Sequence, residues 1–133
     1  MITTIFPDEN SNSTQKKVTT YNEYGNEIES ITHINEDVKP FIFKAYVYNN
    51  KQLVEHEISY GSDKSIVKYD AKFTYNKKDL LVSKTGFSTN TGTKKYFKNT
   101  YEYLYDKRGN WIMKLIYRND ELYETTIRVF EYY

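Results

Sequence analysis

The chain has no cysteine, which excludes disulfides and thiolate metal sites and fits a reducing compartment. Its first residues, MITTIFPDENSNSTQKK, lack the apolar core of about 7–15 residues that a secretory signal carries. No stretch approaches the roughly 20 apolar residues of a membrane-spanning helix. These absences lead us to expect a soluble, cytoplasmic protein without a membrane partner. Charge of one sign is missing too: the net value of +1 excludes a strongly basic nucleic-acid surface and a globally acidic nucleic-acid mimic. No nucleic-acid partner is therefore expected. Catalytic signatures are equally scarce. Gly109-Asn110 lacks the glycine-rich spacing and following helix of a phosphate cradle, and no serine sits in a G-x-S-x-G context. The expectation is a protein that is not an enzyme and uses no cofactor.

Tyrosine fills the space these absences leave. Hydrophobic residues make up only 38% of the 133-residue chain, yet 15 Tyr and 7 Phe bring the aromatic share to 17%. Tyrosine favours strands and packs its ring while its hydroxyl stays wet, so it can supply buried area that Leu and Val usually supply. With no low-complexity break, 133 residues are read as a single domain over 1–133.

The tyrosines are periodic. Tyr21, Tyr48, Tyr75, Tyr105 and Tyr132 follow one another at spacings of 27, 27, 30 and 27. After the first four comes Asn22, Asn49, Asn76 or Asp106. Two positions earlier stand Thr19, Tyr46, Phe73, Tyr103 and Phe130, and twelve positions later His33, Tyr60, Phe87 and Tyr117. Several columns in one phase define a repeat of about 27 residues over 18–133. Residues 1–17 precede it as a short strand (Ile2 to Phe6) and a polar loop.

Each unit reads as a hairpin. The first turns are Asn22 to Asn26, Asn49 to Gln52, Asn76 to Asp79 and Asp106 to Asn110, with Gly25 and Gly109 suited to a positive φ. Second turns fall at Asn35-Glu36-Asp37, Gly61-Ser62-Asp63, Thr89 to Gly92 and Asn119-Asp120. Between turns the period is two: Val67, Tyr69, Ala71, Phe73 and Tyr75 alternate with Ile66, Lys68, Asp70, Lys72 and Thr74. The pattern predicts an all-β, antiparallel β-meander of about eight strands, with a ninth at the N-terminus and the last over Thr125 to Tyr133. Edge protection favours a curved sheet or an up-and-down barrel. Strands apolar on both faces, such as Phe41-Ile42-Phe43, call for a second layer, another subunit or a ligand.

Tyr103-Leu104-Tyr105-Asp106, closed by Gly109-Asn110, resembles the YD repeat of RHS-type proteins, and Tyr21-Asn22 with Gly25-Asn26 is a second match. The units at Tyr48 and Tyr75 place Gln52 and Asp79 where that pattern has glycine, and the 27-residue spacing is longer than the family's. The resemblance implies a β-sheet scaffold or binding protein without enzymatic activity. In that family the repeats form shells around toxin cargo, for which this chain is too short.

Candidate sites are weighed on the same residues. His33 and His56 sit at different phases of the repeat, and His33 shares the column of Tyr60, Phe87 and Tyr117, so packing explains it better than metal binding. Glu27 with Glu29, and Glu55 with Glu57, share strand faces; a hydrolytic pair needs carboxylates about 5–9.5 Å apart across a cleft, and a solvated face explains them more simply. The aromatic rows remain. Tyr101, Tyr103 and Tyr105 place three rings on one strand face about 7 Å apart. Trp111, beside the turn and close to Arg108, reads as an exposed anchor, and Tyr24 lies in the equivalent Asn22–Asn26 turn. Trp111, Arg108, Tyr103, Tyr105 and Tyr24 form the expected binding set. It suits a protein partner, most concretely a toxin neutralised by an immunity protein of an RHS-like or contact-dependent system. The alternative is a carbohydrate- or envelope-binding module whose rings stack on sugars. A second copy pairing through the final edge strand is a further expected partner.

Overall fold

The computed structural model describes residues 1–7, 14–35, 40–62 and 64–133. The polar run at 8–13 and the expected turn residues Glu36, Asp37 and Asp63 lie outside the described residues. The described chain is all-β, with ten strands: β1 (Ile2–Pro7), β2 (Thr14–Tyr21), β3 (Glu27–Ile34), β4 (Ile42–Tyr48), β5 (Val54–Tyr60), β6 (Val67–Tyr75), β7 (Leu81–Asn90), β8 (Thr93–Tyr105), β9 (Trp111–Arg118) and β10 (Glu121–Ile127). Strand order follows chain order from β1 to β10, the up-and-down meander expected. The order is open: among the described residues β1 pairs with β2 and β10 with β9, so the barrel alternative is not realised. A barrel needs one face to serve as interior, whereas these strands carry apolar side chains on both faces.

Two boundaries differ from expectation. β2 starts at Thr14, inside the run expected as loop, because Thr14 to Lys17 pair with Pro7 to Thr4 on one side and Gln15 to Lys17 with Ile34 to Thr32 on the other. The final strand is Glu121–Ile127 and not Thr125 to Tyr133. Its partner β9 begins at Trp111, so after Arg128 N–H donates to Ile112 O at 2.8 Å little backbone remains to pair with.

The turns explain why the strands stop where they do. At Asn22, Asn49, Asn76 and Asp106 the residue's N–H donates to the carbonyl four residues on, at 2.9 Å in each case. Its side-chain oxygen accepts from the N–H groups two and four residues on: Tyr24 and Asn26, Lys51 and Leu53, Lys78 and Leu80, Arg108 and Asn110, all at 2.9–3.1 Å. The third residue on has positive φ: Gly25 (80°), Gln52 (62°), Asp79 (60°) and Gly109 (82°). A short carbonyl-bearing side chain is required here because it reaches its own backbone two residues ahead. A second device precedes three of these turns. Ladder registers shift by one residue at Tyr21, Tyr48 and Tyr105, which then face Glu27, Val54 and Trp111. Each bulge re-aims a tyrosine at the end of its strand.

The residues group into two compact units, Met1–Ala71 with Phe87–Lys95, and Lys72–Gly86 with Tyr96–Tyr133. In the first, the buried side chains among the described residues are small: Ala71, and Thr19 with Ser30 directly opposite it. Carboxylates lie on its strands with partners, Glu27 on Lys17 at 3.3 Å and Glu29 on Lys64 at 3.2 Å. Tyr46 faces Glu57, and burial together with Glu57 and Glu27 pushes its phenol up to about 12. In the second unit no described hydrophobic side chain is buried, and Leu104, Leu122, Ile127 and Val129 are all more than half exposed. Ala71 is the one buried hydrophobic residue described. Tertiary stability here rests on cross-strand pairs more than on a core.

Candidate functional site

Four of the five sequence-predicted binding residues meet in the second unit, around the Asp106–Asn110 turn. Strand alternation and the bulge at Tyr105 put Tyr103, Tyr105 and Trp111 side by side. Tyr103 and Trp111 meet edge to face, with ring centroids 6.0 Å apart and planes at 67°. The Tyr103 hydroxyl donates to Leu81 O at 2.8 Å, and burial, with Tyr105 and Tyr101 nearby, raises its pKa. Tyr103 is thereby a structural ring with its polar end already used.

Trp111 is not the free anchor expected. It is half-buried, and the Arg128 guanidinium lies 3.6 Å from its ring centroid. Arg108, expected beside Trp111, instead covers Tyr132 at 3.9 Å. Tyr132 also donates a short hydrogen bond to Asp106 Oδ2, and Asn110 Nδ2 donates to the Tyr132 hydroxyl at 2.9 Å. That bond from Tyr132 holds the Asp106 carboxyl below its usual range, and Asp106 in turn raises the Tyr132 phenol. Phe130 stacks on Tyr132 with centroids 6.2 Å apart. Residues 128–133 thus lie along the turn, held by a cation on an aromatic ring at each end.

The same arrangement occurs one turn earlier. Lys78 Nζ sits 4.1 Å from the Tyr105 ring centroid and donates to Gly109 O at 2.6 Å, while Asn76 Nδ2 donates to the Tyr105 hydroxyl at 3.3 Å. In both turns an Asn or Asp engages a tyrosine hydroxyl from a later part of the chain, and a cation two residues on covers that ring. A cation on a ring contributes about 0.5–1 kcal/mol where exposed. Tyr24, in the first unit, occupies the position of these cations in its own turn and is 65% exposed.

Two grooves flank residues 128–130. One, of ≈ 340 Å³, is apolar, with Leu104, Ile112, Met113, Ile127, Val129 and Phe130 on its walls. The other, of ≈ 300 Å³, is lined by Lys78, Tyr105, Gly109, Trp111, Arg128 and Phe130, a mixture of rings and cations. Sequence reasoning missed Lys78, Arg128 and Phe130 as site residues. One signal was present: Lys51, Lys78 and Arg108 all stand three positions after a column tyrosine.

The chemical candidates resolve into side-chain pairs. His56 Nε2 lies 2.9 Å from Asp70 Oδ1 on the neighbouring strand, and no group of three or more His, Asp or Glu able to hold a metal ion occurs among the described residues. Glu27 and Glu29 each face a lysine, as above. What the second unit offers is a surface of rings, cations and exposed aliphatic side chains. Comparison with known proteins adds no assignment: no family model matches the chain, and no curated protein matches it.

Proposed function

We propose that the chain is a tandem array of four hairpin repeats of about 27 residues that serves as a cytoplasmic protein-binding module, without catalytic activity. The observation that carries this reading is exposed apolar surface in the second unit. Leu104, Leu122, Ile127 and Val129 are 53–88% exposed, and several line or border the ≈ 340 Å³ groove. Contiguous apolar surface with aromatic and arginine side chains at its rim is the composition of protein interfaces. Its concrete form is an immunity protein that occludes a toxin of an RHS-like or contact-dependent system, and this form rests on the resemblance of Tyr103-Leu104-Tyr105-Asp106 and Gly109-Asn110 to the YD repeat. Capture on the tagged chain from its native lysate, followed by titration of the captured domain, tests it. A stoichiometric toxin or nuclease domain whose binding drops at least tenfold in Leu104→Asp supports the reading. Absence of any stoichiometric protein partner overturns it.

A carbohydrate-binding role is the second reading, supported by the exposed rings of Tyr24, at 65%, and Tyr96, at 71%. Sugars stack on such rings, so glycan-array binding lost in Tyr24→Ala would favour it. Loss confined to Trp111→Ala would not discriminate, because Trp111 packs against Tyr103 and Arg128.

A further inference from the structure

We infer that the ≈ 300 Å³ groove beside Trp111 receives an acidic side chain of a protein partner, set next to an aliphatic one that enters the neighbouring apolar groove. This names the chemistry of the partner in the protein-binding reading proposed above, and it rests on that reading.

The groove is lined by two cations, Lys78 and Arg128, and by no carboxylate. The rings they cover, Tyr105 and Trp111, stand directly opposite each other across the β8–β9 ladder. Side chains paired in this way have Cβ atoms about 4.5–5.5 Å apart. The ammonium and the guanidinium are thus like charges held side by side, and neither enters an ion pair with a described residue. An anion placed against both is attracted by each and offsets their repulsion.

The surroundings have the same sign. The turns at Asn76 and Asp106 add Lys77, Lys107 and Arg108, all exposed. The acids of this region, Asp79, Asp106 and Glu131, do not line the groove. Two of them already accept hydrogen bonds, Asp106 from Tyr132 and Glu131 from the Tyr133 hydroxyl at 2.8 Å.

Both groove cations are held in place before anything binds. Arg128 lies 3.6 Å from the Trp111 ring centroid, and its backbone N–H donates to Ile112 O at 2.8 Å. Lys78 Nζ donates to Gly109 O at 2.6 Å. Side-chain freedom that binding ordinarily removes is therefore already lost in the free protein. A guanidinium over a ring keeps N–H groups at its edge for a carboxylate, and an ammonium with one proton on a carbonyl has others left.

The rings decide which anion. Nucleic acid held without a strongly basic surface needs ring faces on which its bases stack. Tyr105 and Trp111 carry cations over theirs, and Trp111 also meets Tyr103 edge to face. A carboxylate reaches the cations without displacing them. Arg128 and Phe130 line the ≈ 340 Å³ apolar groove as well, so the two grooves share a wall. An acidic residue beside an aliphatic one matches both.

The test reads the emission of the single tryptophan, Trp111. The probe is a terminally blocked peptide, Gly-Leu-Glu-Leu-Glu-Gly, titrated into the full chain beside its counterpart with glutamine for glutamate. The acidic peptide should bind about tenfold more tightly than the glutamine form and weaken with added salt. Lys78→Met and Arg128→Gln remove a charge and keep much of the stem, and each should weaken binding about fivefold, the upper end for an exposed ion pair. Arg128→Lys should retain binding. Lys107→Gln, in the adjacent turn but outside the groove, should change it less than about twofold. Near-ultraviolet circular dichroism establishes that each variant is folded, and Lys78→Met carries the test where Arg128→Gln is not. An acidic peptide that does not bind, or binds no better than the glutamine form, overturns the inference. A loss in Lys107→Gln as large as in the groove variants overturns it too, because it marks diffuse attraction. Displacement of the peptide by a uridine oligonucleotide at lower concentration than by excess peptide overturns it in favour of nucleic acid. A partner captured from lysate whose binding survives both groove variants overturns it while leaving the protein-binding reading standing. That reading fails separately, by the absence of any captured partner.

Discussion

Replacing Asn49 tests the device that closes the turns at Asn22, Asn49, Asn76 and Asp106. Its Oδ1 accepts from Lys51 N–H at 2.9 Å and from Leu53 N–H at 3.0 Å. Asn49→Ala leaves both donors without that acceptor. Lys51 N–H lies at an exposed turn, where water replaces the lost partner, whereas Leu53 N–H is partly buried and is resolvated poorly. With a net value of about 0.5–1.5 kcal/mol per bond, the expected loss is about 1.5 kcal/mol, most of it from Leu53. For a chain of this size that corresponds to a fall in Tm of roughly 5–8 °C. Asn49→Asp keeps the acceptor, as Asp106 shows in the equivalent turn, and should cost less than about 0.5 kcal/mol. The assay is urea unfolding of the three proteins followed by circular dichroism. Asp as damaging as Ala would refute the reasoning, since the argument rests on the acceptor and not on the amide. So would an Ala variant within about 0.3 kcal/mol of wild type.

Further expectations follow from the same structure. Gly25 and Gly109 have φ of 80° and 82°, and a Cβ on Gly109 would lie 3.3 Å from Lys78 Nζ while one on Gly25 meets nothing. Each Gly→Ala change should therefore destabilise by about 1–2 kcal/mol through backbone strain, with Gly109 the worse and Lys78 displaced from Gly109 O, as read by urea unfolding. Ala71 is fully enclosed, so Ala71→Leu should cost about 1–3 kcal/mol by overpacking, whereas Leu122→Ala on the exposed edge should cost little. Docking of residues 128–133 should be bounded in pH on both sides. The Asp106 carboxyl is held low, so its contribution is full above its ordinary value of 3.8 and is lost as pH falls below that through the folded value. The Tyr132 phenol is raised, so its contribution is full below 10.0 and is lost as pH rises past that through its folded value. Fluorescence of the single tryptophan, Trp111, reports it through Arg128 on its ring; Tyr132→Phe should remove the alkaline limit and weaken the acid one.

The strand pattern was legible in the sequence because it is set locally. Val67 to Tyr75 alternates without interruption, is closed by Asn76 and emerges as β6 with those bounds. The Asx turns are legible for the same reason, since each is decided within five residues. What was not legible depends on chain brought from elsewhere. The environment of Trp111 is set by Arg128, 17 residues later and just beyond the end of the neighbouring strand, and the bulge before Trp111 decides which neighbour reaches it. The end of β10 depends on where β9 begins, a property of the partner and not of the sequence VFEYY. Lys78 and Arg108 share a column that was visible, but its use required knowing which tyrosine of a later unit arrives above it.

That last point explains how so little core suffices. A tyrosine from later in the chain fits a preceding turn through its hydroxyl, on Asn76 or Asp106, and through its ring, under Lys78 or Arg108. Both contacts are satisfied at the rim of a single layer and need no second sheet. The lysine and arginine stems cover ring area while their charges stay in water, so aromatic surface is partly shielded on either face without burial. Stability built this way is a sum of turn closures and nearest-neighbour contacts. Such a sum has no stabilising term for surface that neighbours do not reach, and in the second unit that surface is Leu104, Leu122, Ile127 and Val129. A partner that covers those residues adds apolar burial the fold itself lacks, at about 25 cal/mol per Å² before the costs of association.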